Sequence, residues 1–154
     1  MRTHGYTIIE LLVVMAVLGI LATAAMPLAE LGVRRAKERE LKQAAWDIRR
    51  AIDLYKQASD EGRIVKVPGT SGYPPSLDVL AAGVPDVAAG GAPAYFLRRI
   101  PRDPFAGPAG DNAATWGVRS YRSSAADPQE GVDVFDVYSK SRETGLNGTA
   151  YRQW

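Results

Sequence analysis

The sequence predicts an α+β fold in which a long N-terminal helix, membrane-spanning in its first half, packs its second half on a small antiparallel sheet. Three observations carry this expectation. Residues 8–31 form an apolar run whose only charges are Glu10 and Glu30. A helical stripe of apolar side chains continues beyond it, and two later stretches alternate β-branched or aromatic residues with polar ones.

The apolar run comes first. About 20 apolar residues suffice for a bilayer-spanning helix, and residues 8–31 supply them behind a short basic start, Met1-Arg2-Thr3-His4-Gly5. An ordinary secretory signal has an apolar stretch of roughly 7 to 15 residues ending at a small-residue cleavage site. This run is longer, and although Ala22-Thr23-Ala24 fits the bare pattern, no new polar start follows it. The span is therefore expected to remain on the protein.

Past Pro27 the chain turns charged but keeps its helical rhythm. Leu41, Ala45, Ile48, Ile52 and Tyr55 recur at alternating spacings of four and three, which draws one apolar stripe. On the solvated face, Glu30 with Arg34, Glu38 with Lys42 and Arg49 with Asp53 are opposite charges four apart, worth about 0.2–0.5 kcal/mol each. A helix over residues 6–59 would be about 80 Å long at 1.5 Å per residue. The hydrocarbon layer is about 30 Å thick, so the second half must stand outside it. Pro27 removes one N–H donor and crowds the preceding turn, which predicts a kink near residues 22–24 rather than a stop.

Residues 62–72 read as a linker, after which Pro74-Pro75-Ser76 opens a short helix through Leu77 and Leu80, closed by Gly83. Residues 84–110 read as a Pro- and Gly-rich connection. Residues 116–123 and 132–139 read as strands joined by the turn Asp127-Pro128-Gln129-Glu130-Gly131. Strand alternation would put Asp133, Phe135 and Val137 on one face and Val132, Val134, Asp136 and Tyr138 on the other. The tail, residues 139–154, reads as an ordered loop, because Tyr151 and Trp154 are costly to leave in water.

Composition excludes most chemistry. The 154 residues contain no cysteine and one histidine, His4, so disulfides, thiolate sites and multi-histidine metal sites are ruled out, and a Ser-His-Asp triad would have to draw on His4, four residues from the start and ahead of the apolar run. The net charge is +2, from 19 basic and 17 acidic residues, which gives no reason to expect nucleic acid as a partner. The length left after the span suffices for one domain. Asp133 and Asp136 fall on opposite faces, which is poor geometry for acid-base catalysis. Asp103 before Pro104 reads as an Asx turn, and Trp116, Tyr121 and Tyr138 read as core rather than as a sugar platform. No catalytic residue is expected.

Glu10 is the exception in the span. A carboxylate costs roughly 2.5–3.5 kcal/mol at the bilayer centre and less near an end. It needs either a partner or a place close to the interface. Gly5, Tyr6, Thr7, Ile8, Ile9, Glu10, Leu11 and Leu12, followed by the apolar span and Pro27, resemble the N-terminus of type IV pilin-like proteins. The resemblance implies cleavage between Gly5 and Tyr6 by a prepilin peptidase and N-methylation of Tyr6. It makes Glu10 the fifth mature residue and places Glu10 and Pro27 in an assembly helix. Two positions depart from the pattern: Tyr6 stands where Phe is usual, and His4 where Lys or Arg commonly precedes the glycine.

Electrostatics supports the same arrangement independently. Cleavage would free an α-amino group about 6 Å along the helix axis from Glu10. Pairing Glu10 with the amino group of a neighbouring copy neutralises both charges, and removing one partner of such a buried pair costs roughly 3–5 kcal/mol. Head-to-tail contacts that do not close on themselves build open filaments.

Downstream, Gly72-Tyr73-Pro74-Pro75-Ser76-Leu77, the Leu97, Ile100, Pro101, Asp103, Pro104, Phe105 segment and Asp136-Val137-Tyr138-Ser139 resemble the major pseudopilin of type II secretion systems. That resemblance implies a leader at 1–5, a transmembrane assembly helix at 6–30 and a periplasmic pilin-like domain at 31–154. The protein would be single-pass in a bacterial inner membrane. Its partners would be copies of itself in a helical filament, other pseudopilins, the prepilin peptidase and the inner-membrane assembly platform. Counting basic residues points the opposite way, since Arg34, Arg35, Lys37 and Arg39 follow the span. Glu30, Glu38 and Glu40 are interleaved with them, and the family orients its leader inward.

In that family the loop after the last strand commonly binds calcium. Here it reads Lys140-Ser141-Arg142-Glu143-Thr144-Gly145-Leu146-Asn147-Gly148. Calcium takes six to eight oxygen ligands. The aspartates that would supply them are missing, and Lys140 and Arg142 oppose a cation locally, so no cofactor is expected, with calcium in this loop as the lesser alternative. The leading expectation is a structural pseudopilus subunit. A pilin or minor pilin of a type IV pilus is the alternative, and a membrane-anchored enzyme or binding domain is a third reading from another class.

Overall fold

The computed structural model describes residues 7–154, without the side chains of residues 24–27. Gly5 and Tyr6, the expected cleavage site, lie outside the described residues, as does the side chain of Pro27. Helix α1 runs Ile8–Asp60, 53 residues, unbroken through Pro27. The chain divides into two compact units, Met1–Ala36 and Lys37–Trp154.

In the first unit α1 starts where local chemistry predicts a start. The Thr7 hydroxyl accepts from the Glu10 amide at 3.3 Å, and a Glu10 carboxylate oxygen accepts from the Thr7 amide at 3.5 Å. This is the reciprocal Ser/Thr-x-x-Glu capping pattern, which satisfies amides that otherwise lack helical partners. The helix is long and apolar enough to cross a membrane, with a mean hydropathy of 2.5 over its most apolar window and none of that window buried.

In the second unit the predicted stripe faces inward. Leu41, Ala45, Ile48, Ile52 and Tyr55 are all buried, joined by Ala44, Ala51 and Ala58. Against them pack Ile64, Leu77, Leu80, Ile100, Trp116, Val134, Val137 and Tyr151. Full burial of a side chain such as Ile48 or Ile52 stabilises by about 1.5–3 kcal/mol, so this stripe is the main support of the unit. α1 stops at a Schellman-type cap. Gly62 takes the left-handed conformation, φ 72°, and the Arg63 amide donates back to the Ala58 carbonyl at 2.9 Å.

The second helix, α2, covers only Val79–Ala82. It begins later than expected because the chain first makes one tighter turn, the Leu80 amide donating to the Leu77 carbonyl at 3.1 Å, and the four-residue helical bond appears only with the Ala82 amide on the Asp78 carbonyl at 2.9 Å. Gly83 does close it, with φ 88°. The expected connection after Gly83 is in part a hairpin: β1, Val84–Asp86, pairs antiparallel with β2, Ala92–Ala94, and Pro85 faces Pro93. Neither proline can donate, so they fit a ladder only as a non-hydrogen-bonded pair.

The remaining strands are shorter than the alternation suggested. β3 is Trp116–Arg119 and β4 is Asp136–Ser139, in antiparallel register from Trp116 opposite Ser139 to Arg119 opposite Asp136. Ser120 leaves the ladder to donate to Asp133, and the Val134 amide turns to the Pro74 carbonyl at 2.8 Å. The two-face assignment therefore fails before Asp136. Val132 is 81% exposed, while Asp133 and Val134 are both buried. A long helix followed by two small antiparallel sheets, rather than one, is a pilin-like α+β arrangement.

Candidate functional site

Two places could carry function: the surface of α1 in the first unit, and the C-terminal loop of the second. On α1, Ile8, Ile9, Leu11, Leu12, Val13 and Val14 are all more than half exposed, and Glu10 sits among them. Apolar side chains displayed all round a helix demand a lipid or protein cover, because each leaves its burial energy unrealised in water. Glu10 is the only charged residue from Ile8 to Ala29. The one bond its carboxylate makes, from the Thr7 amide, is long and exposed, so a closer cationic partner could displace it at little cost. The Thr7-to-Glu10 spacing was readable in the sequence as a helix start and was missed behind the apolar run.

The carboxylates of the second unit hold structure. Asp103 is 1% exposed; its side chain accepts from the Phe105 amide at 2.8 Å and from the Ser139 hydroxyl at 2.6 Å, an Asx turn tied to β4. Asp133 accepts from the hydroxyls of Ser71 and Ser120 and from the Tyr121 amide. Burial works against its ionisation, but these hydrogen bonds and nearby Arg122 hold it below the usual carboxylate range. Asp136 belongs to a different cluster, paired with Arg49 at 2.7 Å and with Arg119 at 3.2 Å. The two aspartates share no substrate-sized space.

Arg49 corrects an expectation. It was placed with Asp53, four residues on, yet its guanidinium reaches Asp136 and donates to the carbonyls of Val137 at 2.9 Å and Trp154 at 2.7 Å. A planar fork that can satisfy three acceptors outcompetes a surface pair. Asp86 is another residue the sequence reading missed. Its bond from Arg63 holds its carboxyl low against the effect of burial, helped by the Ala88 amide.

Trp116 is core as expected, 2% exposed, with its indole N–H donating to the Pro101 carbonyl at 2.8 Å. Tyr121 is not core. It is 58% exposed and stacks on Tyr73 at 5.5 Å between ring centroids. Tyr138 lies half-buried across Gly117, where a Cβ would meet its ring.

The C-terminal loop is tightly folded. Thr144 bridges Ala150, the Gly145 amide donates to the Thr149 carbonyl at 2.8 Å, and the Gly148 amide donates to the Gly145 carbonyl at 2.9 Å. The Asn147 side-chain oxygen accepts from the Thr149 amide at 3.0 Å, and Lys140 reaches the Ala114 carbonyl. The loop oxygens thus turn inward onto loop amides, and a cation is anchored at its start. Among the described residues no three acidic or histidine side chains gather as a metal-binding group. Calcium needs six to eight converging oxygens, and this donor set does not fit it.

Residues 1–26 match the family model of the prokaryotic N-terminal methylation motif, a type IV pilin-like prepilin signal. No curated protein and no solved structure matches the chain.

Proposed function

We propose that this chain is a structural subunit of a periplasmic pseudopilus in type II protein secretion, polymerising through α1 and performing no chemistry of its own. The observation that carries the reading is Glu10, the only charged residue between Ile8 and Ala29 of α1, five residues past Gly5 within a methylation motif. In this reading a prepilin peptidase cuts between Gly5 and Tyr6, and Tyr6 is N-methylated. Glu10 then meets the freed amino group of a neighbouring copy, and Pro27 belongs to the same assembly helix. The second unit stands in the periplasm, and the partners are further copies, other pseudopilins and the inner-membrane assembly platform.

The secretion branch is favoured over a pilin or minor pilin of a surface pilus by the resemblance of the segment around Ile100 to Phe105 to pseudopilins, a likeness of sequence. The segment's Asp103 turn is tied into β4 and buried as a structural element. Intact-mass measurement of membrane-extracted protein should show loss of residues 1–5 and gain of one methyl group, and Gly5→Leu should leave the chain uncut. Deleting the gene should then stop secretion of a reporter while leaving surface pili intact. A chain that keeps Arg2, or loss of pili with secretion unaffected, would overturn the reading.

A further inference from the structure

We infer that the loop after β4 is fastened by a carboxylate of α1, Glu38, which does by hydrogen bonding what calcium does in the proteins this chain resembles. The loop is therefore ordered without metal. One oxygen of Glu38 accepts from the Leu146 amide at 2.7 Å and from the Tyr151 hydroxyl at 2.9 Å. Those two donors bracket the loop, so a single helix side chain closes it at its tip and at its exit. A calcium ion would draw several carboxylates and carbonyls toward itself. Here the carboxylate comes from outside the loop, and the groups the loop turns toward it, the Leu146 amide and the Tyr151 hydroxyl, are donors, while the Gly145 and Thr149 carbonyls and the Asn147 side-chain oxygen are taken up by loop amides. That inverts the polarity a cation site needs.

The surroundings serve the same anchoring. Tyr151 is fully buried, stacked on Phe105 with centroids 4.1 Å apart and edge-on to Trp154 at 5.0 Å. Lys42, which the four-residue spacing assigned to Glu38, lies over the Trp154 ring at 4.4 Å. Gly145 lies directly against that same ring, where any side chain would collide. The loop is thus pinned to the aromatic pair below it and to Glu38 beside it.

The test is limited trypsin digestion of the detergent-solubilised full chain, with cuts after Lys140 and Arg142 followed by mass. Wild type should be cut equally slowly in calcium chloride and in chelator. Glu38→Ala should raise the rate about tenfold by populating the open loop, whereas Glu38→Gln, which keeps an acceptor oxygen, should stay near wild type. Tyr151→Phe keeps the buried ring and removes only the hydroxyl; it should accelerate cutting several-fold, and it decides the matter if Glu38→Ala fails to fold. Slower cutting of wild type with calcium overturns the inference, as does an unchanged rate in a folded Glu38→Ala or in Tyr151→Phe.

Discussion

Replacing Arg49 by Met would remove the fork that joins α1, β4 and the end of the chain. The wild-type guanidinium donates to a carboxylate and two backbone carbonyls. A hydrogen bond to a charged group is worth about 1.5–3 kcal/mol in a dry setting. Arg49 and Asp136 are 37% and 29% exposed in their side chains, and exposed pairs measure nearer 0.2–1 kcal/mol. Discounting the ion pair for solvent and keeping about 1 kcal/mol for each carbonyl leaves a loss of about 2–3 kcal/mol. For a unit of this size that lowers Tm by roughly 6–12 °C. Near-ultraviolet circular dichroism of the full chain in detergent reads the change selectively, because Trp116 and Trp154 both lie in the second unit. Arg49→Lys should recover only a minority of the loss, since an ammonium can hold Asp136 but cannot serve all three acceptors. Asp136 keeps Arg119 at 3.2 Å, so a double-mutant cycle with Asp136→Asn should give a coupling of about 0.5–1 kcal/mol. If Arg49→Met melts with wild type, or Arg49→Lys restores it fully, the fork is not what joins these elements.

Two further outcomes follow from the second unit. Asp86 and Asp133 are both held below the usual carboxylate range. In acid the unfolded chain, with pKa near 3.9, therefore binds more protons than the folded one. Their stabilisation is complete above about pH 5, is lost as the pH falls through their lowered folded values, and should shrink when either becomes Asn, read as a flatter plot of Tm against pH. Gly117→Ala should cost about 1–3 kcal/mol in denaturant melts, because the added Cβ drives into the Tyr138 ring; a variant as stable as wild type would show that the ring swings aside.

Much of the fold could be read from the sequence because helix periodicity is a long-range signal. Leu41 to Tyr55 repeat their pattern over four turns, and every one of those side chains is buried. Ala44, Ala51 and Ala58 extend the stripe but carry too little hydrophobic signal to stand out. The β1–β2 hairpin was hidden because its strands have three residues each with a proline at the centre, a pattern that otherwise marks loops. The strands around Asp133 were read too long, since alternation cannot reveal that Ser71, Ser120 and Tyr121 will converge on one carboxylate. Arg49 and Glu38 show the same limit for charges. Spacing of four nominates Asp53 and Lys42, but Arg49 takes its acceptors and Glu38 its donors from β4 and the C-terminal loop. The candidate assembly site was legible because Glu10 is conspicuous in its span, whereas its capping role required attention to Thr7.

Assembly through Glu10 is the central claim, and cysteine cross-linking tests it directly, since the chain contains no native cysteine. Paired cysteines placed on opposite sides of α1 between Ile8 and Thr23 should give a ladder of multimers in membranes of the native host. Glu10→Ala should insert, be cleaved and melt like wild type, because removing a carboxylate from lipid eases insertion. It should nevertheless lose the ladder and the secretion of a reporter, because the neighbour's amino group is left without its partner. A Glu10→Ala chain that still forms the ladder and secretes at the wild-type rate would contradict the pairing mechanism.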